Sequence, residues 1–126
     1  MEITVFGKIN RVPLEAEFGK LQTDDIIITS ERIAHIKQRH PEDYDFFEMF
    51  GIESVTNPDF IIKDLKNTGT VFMVKRLPNT NLNVVIRLAL GIDQNGLKNS
   101  VMTFYRIRER NLRKLIGKNV LLYKKE

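Results

Sequence analysis

The sequence predicts an α+β fold in which N-terminal helices pack on one face of a four-stranded antiparallel sheet. Helical spacing of apolar residues prevails over residues 29–56, whereas apolar and polar residues alternate over residues 60–107. Turn-forming segments separate the alternating runs, and such short connections are typical of antiparallel neighbours. Because the helical part precedes the alternating part, the order favours α+β over a parallel α/β sheet.

The front of the chain predicts short extended segments. Apolar and polar residues alternate over residues 2–10, which predicts a strand. Leu14–Phe18, ending at Gly19, is expected to form its hairpin partner. The β-branched run Ile26–Ile28 predicts a brief strand that leads into the first helix.

The next segment predicts a helix with both ends marked. Thr29 or Ser30 can accept a hydrogen bond from a free backbone N–H, and Glu31 suits the positive end of the helix dipole. Pro41 ends this helix, because the residue before a proline is disfavoured in the α region. The same proline can open a second helix, which is rich in aromatic residues and which Gly51 is expected to end or bend.

Four alternating runs follow, and each predicts one strand of the sheet: Phe60–Leu65, Thr70–Leu77, Leu82–Leu90 and Asn99–Ile107. A short basic helix comes next, and Val120–Tyr123 predicts a last short strand. In the third run one set of alternate residues is entirely apolar, so that face is expected to meet the helices. The opposite face is then free to carry Arg87, Thr103 and Tyr105.

Composition indicates one ordinary globular domain over residues 1–126. Charged residues make up 29% and hydrophobic residues 42% of the chain, which argues against disorder. There is no Cys, which excludes disulfides, thiolate metal sites and a Cys nucleophile. No apolar run approaches the roughly 20 residues that span a bilayer. The N-terminus also lacks the features of a signal peptide, so we expect a cytoplasmic protein with no membrane partner.

Charge is distributed unevenly along the chain. Residues 1–60 carry 6 Lys/Arg against 12 Asp/Glu, whereas residues 99–126 carry 8 against 2. The basic second half suggests a polyanionic partner. A solvated charged face on an ordinary protein accounts for the same asymmetry, so charge alone does not separate the two interpretations.

Both histidines lie in the first predicted helix. His35 shares a stripe with Arg32 and Arg39, and His40 lies at the helix end. An imidazole beside fixed positive charge suits chemistry on a phosphate. The structural alternatives are a solvated His35 and a His40 that bonds the last free carbonyls. Positions five apart lie about 140° apart around a helix, and no Cys or further His is present, so we expect no metal site.

Four polar residues interrupt the otherwise apolar strands: Lys75, Arg87, Thr103 and Tyr105. Threonine and tyrosine are common in strands for their shape alone. A buried arginine is costly unless paired, so Arg87 is expected either to meet a carboxylate or to line a ligand cleft. With the histidines, this set fits metal-independent RNA cleavage. A histidine takes the 2′-OH proton, a second group protonates the leaving 5′-oxygen, and cations and hydroxyls stabilise the charged phosphorus centre.

Three motifs resemble phage-type nucleases of the barnase/EndoU/colicin E5/D/RelE superfamily: H-I-K-Q-R-H-P in the first helix, N-P-D-F-I before the sheet and K-N-S-V-M-T-F-Y in a late strand. The resemblance covers roughly residues 26–125. It implies a barnase- or RelE-like α+β fold and metal-independent ribonuclease activity in a toxin-like domain of a phage or mobile element. It also implies active-site roles for His35, Arg39, His40, Thr103 and Tyr105.

The leading hypothesis is therefore an endoribonuclease that needs neither metal nor cofactor. One histidine is expected to act as general base, with the other or Tyr105 as acid. Arg39 and Arg87 would hold the scissile phosphate, and Thr103 would orient it. Substrate-binding roles are expected for six further basic residues: Lys75, Arg106, Arg108, Arg110, Arg113 and Lys114. The expected substrate is RNA, with tRNA as one candidate, and the resemblance implies an immunity or antitoxin protein as a partner.

Two alternatives stay open. A non-catalytic nucleic-acid-binding protein would use the same basic half, and its binding would survive loss of both histidines. A protein-interaction module of a phage or mobile element would instead use the acidic, aromatic stretch Glu42–Phe50. An exposed apolar patch would favour that module, and burial of Phe46, Phe47 and Phe50 would count against it.

Overall fold

The computed structural model describes residues 2–126. Within them, seven strands join one sheet in the order β1-β2-β6-β5-β4-β3-β7, and four helices pack on it. The elements along the chain are β1 (Ile3–Lys8), α1 (Arg11–Phe18), β2 (Asp25–Thr29), α2 (Ser30–Arg39), α3 (Pro41–Thr56), β3 (Phe60–Lys63), β4 (Thr70–Arg76), β5 (Asn81–Arg87), β6 (Asn99–Ile107), α4 (Glu109–Lys118) and β7 (Val120–Lys124).

The predicted four-stranded antiparallel sheet is wrong, because the sheet has seven strands and is mixed. The four predicted strands form its centre, where β3 to β6 pair as an antiparallel meander. At one edge β2 pairs in parallel with β6 and β1 pairs with β2, while at the other edge β7 pairs with β3. The sheet also begins before the helices, since β1 and β2 precede α2.

A buried amide joins β2 to β6. The side chain of Asn99 donates hydrogen bonds to the carbonyl oxygens of Thr23 and Asp25, at 2.9 and 3.0 Å. Its side-chain oxygen accepts a third bond from the backbone N–H of Ala89 at 2.8 Å. One buried side chain thus satisfies three backbone groups at the point where the parallel pair begins.

The predicted hairpin partner of β1 is also wrong, because this segment forms helix α1. Asn10 caps α1 by accepting a hydrogen bond from the backbone N–H of Val12 at 3.1 Å. Pro13 lies in the first turn, where backbone N–H groups have no helical partner and a proline is tolerated. Leu14 and Phe18, four residues apart, are the positions that α1 turns toward the main core.

The two helices predicted after residue 28 form as α2 and α3. Thr29 caps α2 by accepting a hydrogen bond from the backbone N–H of Arg32 at 3.1 Å, and Pro41 begins α3. Gly51 does not end α3, which continues to Thr56.

The role of Gly51 is to leave room for aromatic packing. A Cβ at this position would lie 2.8 Å from the ring of Phe47. That ring stacks between the rings of Phe6 and Phe104, with centroid distances of 5.0 and 3.6 Å. The stack joins β1, α3 and β6 in the centre of the core.

The sheet has two faces, and they carry different cores. We call the side that packs against α1, α2 and α3 the helix face; it includes the buried residues Leu82, Val84, Ile86 and Phe104. We call the other side the open face, and α4 covers part of it. There Leu112 packs in a second cluster with Phe60, Ile62, Val74 and Ile107. The apolar side of β5 therefore lies on the helix face, as predicted, and α3 packs against it.

Candidate functional site

A cleft of about 750 Å³ lies on the open face beside the part covered by α4. Its floor comes from alternate residues of β4, β5 and β6, and one wall is the loop between β3 and β4. The lining combines two cations, one carboxylate, hydroxyl groups and apolar surface: Asp64, Lys66, Asn67, Thr68, Thr70, Phe72, Val85, Arg87, Met102, Thr103 and Tyr105.

The β3–β4 loop is held in place by a buried carboxylate. Asp64 accepts hydrogen bonds from the backbone N–H of Lys66 and the side-chain amide of Asn67, both at 2.8 Å. At its outer side the loop is tied to the end of α4, because the side chain of Asn119 accepts from the backbone N–H of Leu65 at 3.0 Å. A loop that is bonded on both sides gives the cleft a fixed wall.

Arg87 lies at the end of β5 and bends over the loop. Its guanidinium donates to the carbonyl oxygen of Leu88 at 3.2 Å and lies 3.9 Å from the carboxylate of Asp93. A Cβ at Gly69, where φ is +77°, would lie 1.7 Å from Nη1 of Arg87. The arginine therefore meets both expectations from the sequence, since it approaches a carboxylate and also lines a cleft. Its side chain is 41% exposed, so a ligand can reach it.

Thr103 and Tyr105 line the same cleft from β6. In the antiparallel pairing with β5, Thr103 lies opposite Val85 and Tyr105 lies opposite Asn83. The register shifts between Val85 and Ile86, so β6 carries one extra residue there. This bulge explains why Met102 also lines the cleft, although strict alternation would place it on the helix face.

A buried polar residue adjoins the cleft. Asn83 is fully buried on the open face, between its strand neighbours Val74 and Tyr105. Neither the nitrogen nor the oxygen of its side chain has a hydrogen-bond partner among residues 2–126. An amide buried without partners is destabilising by about 1–3 kcal/mol, so Asn83 is a position at which stability is not optimised.

The predicted helical residues lie on the other side of the sheet. His35, Arg39 and His40 are exposed on or at the end of α2. This helix packs through Ile36 into the same core as Phe104, whose side chain leaves β6 on the helix face. The structure therefore brings Arg87, Thr103 and Tyr105 together but separates them from both histidines.

His40 belongs to a small polar group on the helix face. Its Nδ1 lies 4.0 Å from the carboxylate of Asp43, which also accepts a hydrogen bond from Nε of Arg106 at 2.5 Å. Arg106 further contacts Glu42 at 3.3 Å and stacks over the ring of Phe46. The hydrogen bond to Asp43 raises the pKa of the Arg106 guanidinium. Arg106 is thus engaged within the protein rather than presented to a ligand.

Lys75 is engaged in a similar way. Its ammonium group donates to the carbonyl oxygen of Asn57 at 3.2 Å and lies within 4 Å of the carboxylates of Glu53 and Asp59. Its side chain is only 13% exposed. Lys75 alternates with Val74 along β4 and so lies on the face away from the cleft.

The basic residues around α4 divide by their position on the helix. Arg108, Arg110, Arg113 and Lys114 are all exposed. The contact of Arg76 with Glu109, at 2.6 and 3.2 Å, marks the flank of α4 that lies away from the cleft. The hydrogen bond to Arg76 is the main cause of the lowered pKa of Glu109, and the positive charge of Arg113 lowers this pKa further. Arg113 therefore lies on the same flank of α4 as Glu109. Lys118 lies on the cleft side of α4, where it lines a second pocket that shares Asp64, Lys66 and Phe72 with the cleft.

The cleft includes residues that sequence reasoning missed. Three of them lie in or beside the turn between β3 and β4: Asp64, Lys66 and Thr70. No local sequence signal indicates that this turn lies close to β6. Pairing of β4 with β5 supplies the link, since Thr70 lies opposite Arg87 and Phe72 lies opposite Val85. Once Arg87 is placed on the open face, the register carries Thr70 and Phe72 with it.

The aromatic residues of α3 bear on the protein-interaction alternative. Phe47 is buried, and Phe46 and Phe50 pack against the core. Met49 and Ile52 of the same helix are 67% and 56% exposed. The stretch therefore serves the core first, which counts against its use as a dedicated aromatic contact surface.

Among residues 2–126, no three His, Asp or Glu side chains cluster as metal ligands. In the same range no helix combines the length and apolar character needed to cross a bilayer. No family model matches this sequence, and no curated protein or solved structure matches it.

Proposed function

We propose that this protein is a metal-independent endoribonuclease whose active site is the open-face cleft. The observation that carries the proposal is the convergence of two cations with several hydroxyls around one cleft of about 750 Å³. A cleft of this size falls within the roughly 300–1,000 Å³ typical of ligand sites. Phosphoryl-transfer chemistry needs this combination, because charge builds up on the phosphate oxygens in the transition state.

Each cleft residue has a role that suits its position. Arg87 and Lys66 bind the scissile phosphate, and the hydroxyl of Thr103 orients it. Among the residues that the structure describes, Asp64 is the only carboxylate that lines the cleft, so it accepts the proton of the attacking 2′-OH. Tyr105 gives its proton to the leaving 5′-oxygen. The new bond joins the 2′-oxygen to phosphorus, the bond from phosphorus to the 5′-oxygen breaks, and the products are a 2′,3′-cyclic phosphate and a 5′-OH.

In this proposal the histidines are outside the active site. His35 and His40 lie beyond the helix face, and the proton-transfer groups of the cleft lie on the open face. A general base must be within hydrogen-bond reach of the proton that it takes. Residues on opposite sides of a packed sheet cannot share one scissile phosphate.

A second candidate function is RNA binding without cleavage. The observation that favours it is that both oxygens of Asp64 already accept hydrogen bonds within the loop. A carboxylate that serves the loop is less available as a base, whereas the cations and aromatic rings of the cleft would still bind RNA.

The test is incubation of purified protein with total tRNA and rRNA in excess EDTA. We expect discrete fragments from the wild type, a loss of roughly 10- to 150-fold in Arg87→Ala and a loss of about 100-fold or more in Tyr105→Phe. The matched control is the double variant His35→Ala/His40→Ala, which should cleave within about threefold of wild type because its changes lie on the other face.

Three results would count against the proposal. Cleavage that survives in both cleft variants but is lost in the histidine variant would move the active site to the group around His40 and Asp43. Intact RNA with wild-type protein, together with a salt-sensitive gel shift that Arg87→Ala weakens, would support binding without cleavage. Intact RNA without a gel shift would reject both functions.

A further inference from the structure

A groove continues from the cleft toward α4. It has a volume of about 500 Å³ and shares Asp64, Lys66 and Phe72 with the cleft. Beyond these residues it is lined by the β3–β4 loop and by the C-terminal turns of α4: Leu65, Leu115, Lys118 and Asn119. Phe72 therefore lies at the junction of two neighbouring sites on one face.

The groove pairs an apolar surface with cations. Phe72 and Leu115 are half-buried and offer a ring and an aliphatic surface to an occupant. Lys66 and Lys118 stand on opposite walls, one on the loop and one on α4. Neither lysine takes part in an ion pair within residues 2–126. Most other cations near the strands are neutralised, as Lys75, Arg76 and Arg106 are.

The walls are fixed before any ligand arrives. The side chain of Asn119 donates to the carbonyl oxygen of Leu115 at 2.9 Å and accepts from the backbone N–H of Leu65 at 3.0 Å. This latch sets the distance between helix and loop and so keeps the groove open. A preformed site binds with a smaller loss of conformational entropy.

We propose that the groove is a second nucleotide subsite, in which the base of a neighbouring nucleotide of single-stranded RNA stacks on Phe72 and its phosphate binds Lys118, while Lys66 at the junction stays with the scissile phosphate. An unpaired base is required, because a base held in a duplex cannot present its flat surface to a side chain inside a groove. The choice of RNA as ligand rests on the proposed function, but the subsite does not depend on cleavage.

The test is a length series of RNA oligonucleotides with 2′-O-methyl groups, which bind but lack the attacking hydroxyl. Fluorescence anisotropy at fixed salt gives the affinity of each length. For wild type we expect extension from two to four nucleotides to tighten binding by roughly tenfold, the scale of one stacked base. Lys118→Gln should lose most of this gain while its affinity for the dinucleotide stays within about twofold of wild type. Phe72→Leu should lose most of the gain as well, measured against its own dinucleotide affinity, because Phe72 also lines the cleft.

Two further variants separate the subsite from general effects. Phe72→Tyr keeps an aromatic ring and should keep the gain in affinity with length. A general packing defect would instead lower the affinity of both Phe72→Tyr and Phe72→Leu. Lys37→Gln removes one positive charge from α2, on the other face of the sheet, and should leave the length dependence unchanged.

The outcomes distinguish this proposal from the proposed function. Equal affinity of wild type for two and four nucleotides, or an undiminished gain in Phe72→Leu and Lys118→Gln, would overturn the subsite even if unmodified RNA is cleaved. A gain with length that these variants abolish would support the subsite even if unmodified RNA stays intact.

Discussion

Gly69→Ala should displace Arg87 from the cleft without replacing any residue that is proposed to contact RNA. A Cβ at Gly69 would lie 1.7 Å from Nη1 of Arg87, while an ordinary contact is 3.4 Å or longer. The guanidinium must therefore move by about 2 Å. It then loses its hydrogen bond to the carbonyl oxygen of Leu88, which is 3.2 Å in the wild type, and its position 3.9 Å from the carboxylate of Asp93.

The substitution should lower both the folding stability and the activity on RNA. Alanine in the left-handed region, which φ of +77° requires at this position, costs about 1–2 kcal/mol of folding stability. The lost hydrogen bond adds roughly 0.5–1.5 kcal/mol. For function, a hydrogen bond from arginine to a charged phosphate contributes about 1.5–3 kcal/mol, so RNA cleavage or binding should fall roughly 10- to 150-fold.

Gly96→Ala is the matched control. Gly96 also has a positive φ, +89°, but a Cβ there would meet no atom within 4 Å. Urea unfolding of both variants gives the stability loss that each backbone position imposes. Initial rates on a fluorescent RNA oligonucleotide give the functional loss. Only Gly69→Ala should lose function, and Gly69→Ala/Arg87→Ala should be no less active than Arg87→Ala alone.

A Gly69→Ala variant whose activity stays within about twofold of that of Gly96→Ala would show that the position of Arg87 does not matter for function. An additive loss in the double variant would equally contradict the prediction. Additivity would mean that Gly69 acts on RNA through something other than Arg87.

Two further predictions concern stability. Asn83→Val should raise the free energy of unfolding in urea by about 1–2 kcal/mol, because it removes two buried polar atoms without partners; a loss of stability would mean that the amide is bonded in solution. The pKa of Glu109 is lowered in the folded state from its ordinary value of 4.5, mainly by its hydrogen bond to Arg76. The stabilisation from this pair is therefore complete above the unfolded pKa and is lost as the pH falls through the folded pKa. Since both partners are about half exposed, it should be below about 1 kcal/mol. Urea unfolding at pH 7 and pH 3 should show that the free energy of unfolding falls less on acidification in Glu109→Gln than in wild type. An equal fall in both proteins would exclude the Arg76–Glu109 pair as a source of acid sensitivity.

Local sequence signals predicted the strands of the meander but not the sheet that contains them. Alternation over residues 60–107 identifies β3 to β6, although β5 is buried on both sides in the folded sheet. The parallel pair of β2 with β6 joins residues more than 70 positions apart through Asn99. No periodicity in either strand encodes that partner. The sequence does not reveal helix α1, because Pro13 is as compatible with a break after β1 as with the first turn of a helix, where a proline is tolerated.

Half of the candidate site followed from alternation as well. The apolar side of β5 must meet the helices, which leaves Val85 and Arg87 on the open face, where Thr103 and Tyr105 join them. The same inference already places α2 on the opposite side, so the histidines and Arg87 cannot lie in one cleft if both statements hold. The active site inferred from the resemblance conflicted with the predicted packing, and only the three-dimensional arrangement made the conflict visible.

Ion pairing shows where the positive charge of the second half of the chain is directed. Lys75, Arg76 and Arg106 each contact a carboxylate within the protein, so their charges contribute little to the field outside it. Within the described part of the chain, residues 2–126, Lys66 and Lys118 form no such pair, and they lie at the cleft and its groove. Unpaired cations attract a polyanion over about 8–10 Å at physiological salt. Under the proposed function, the two lysines favour binding of a phosphate chain at the open face. The helix face is mixed in charge, because α3 carries Glu42, Asp45, Glu48 and Glu53 whereas α2 carries Lys37 and Arg39. Under the proposed function, these charges would place the phosphate chain on the same face as the hydroxyl groups of the cleft.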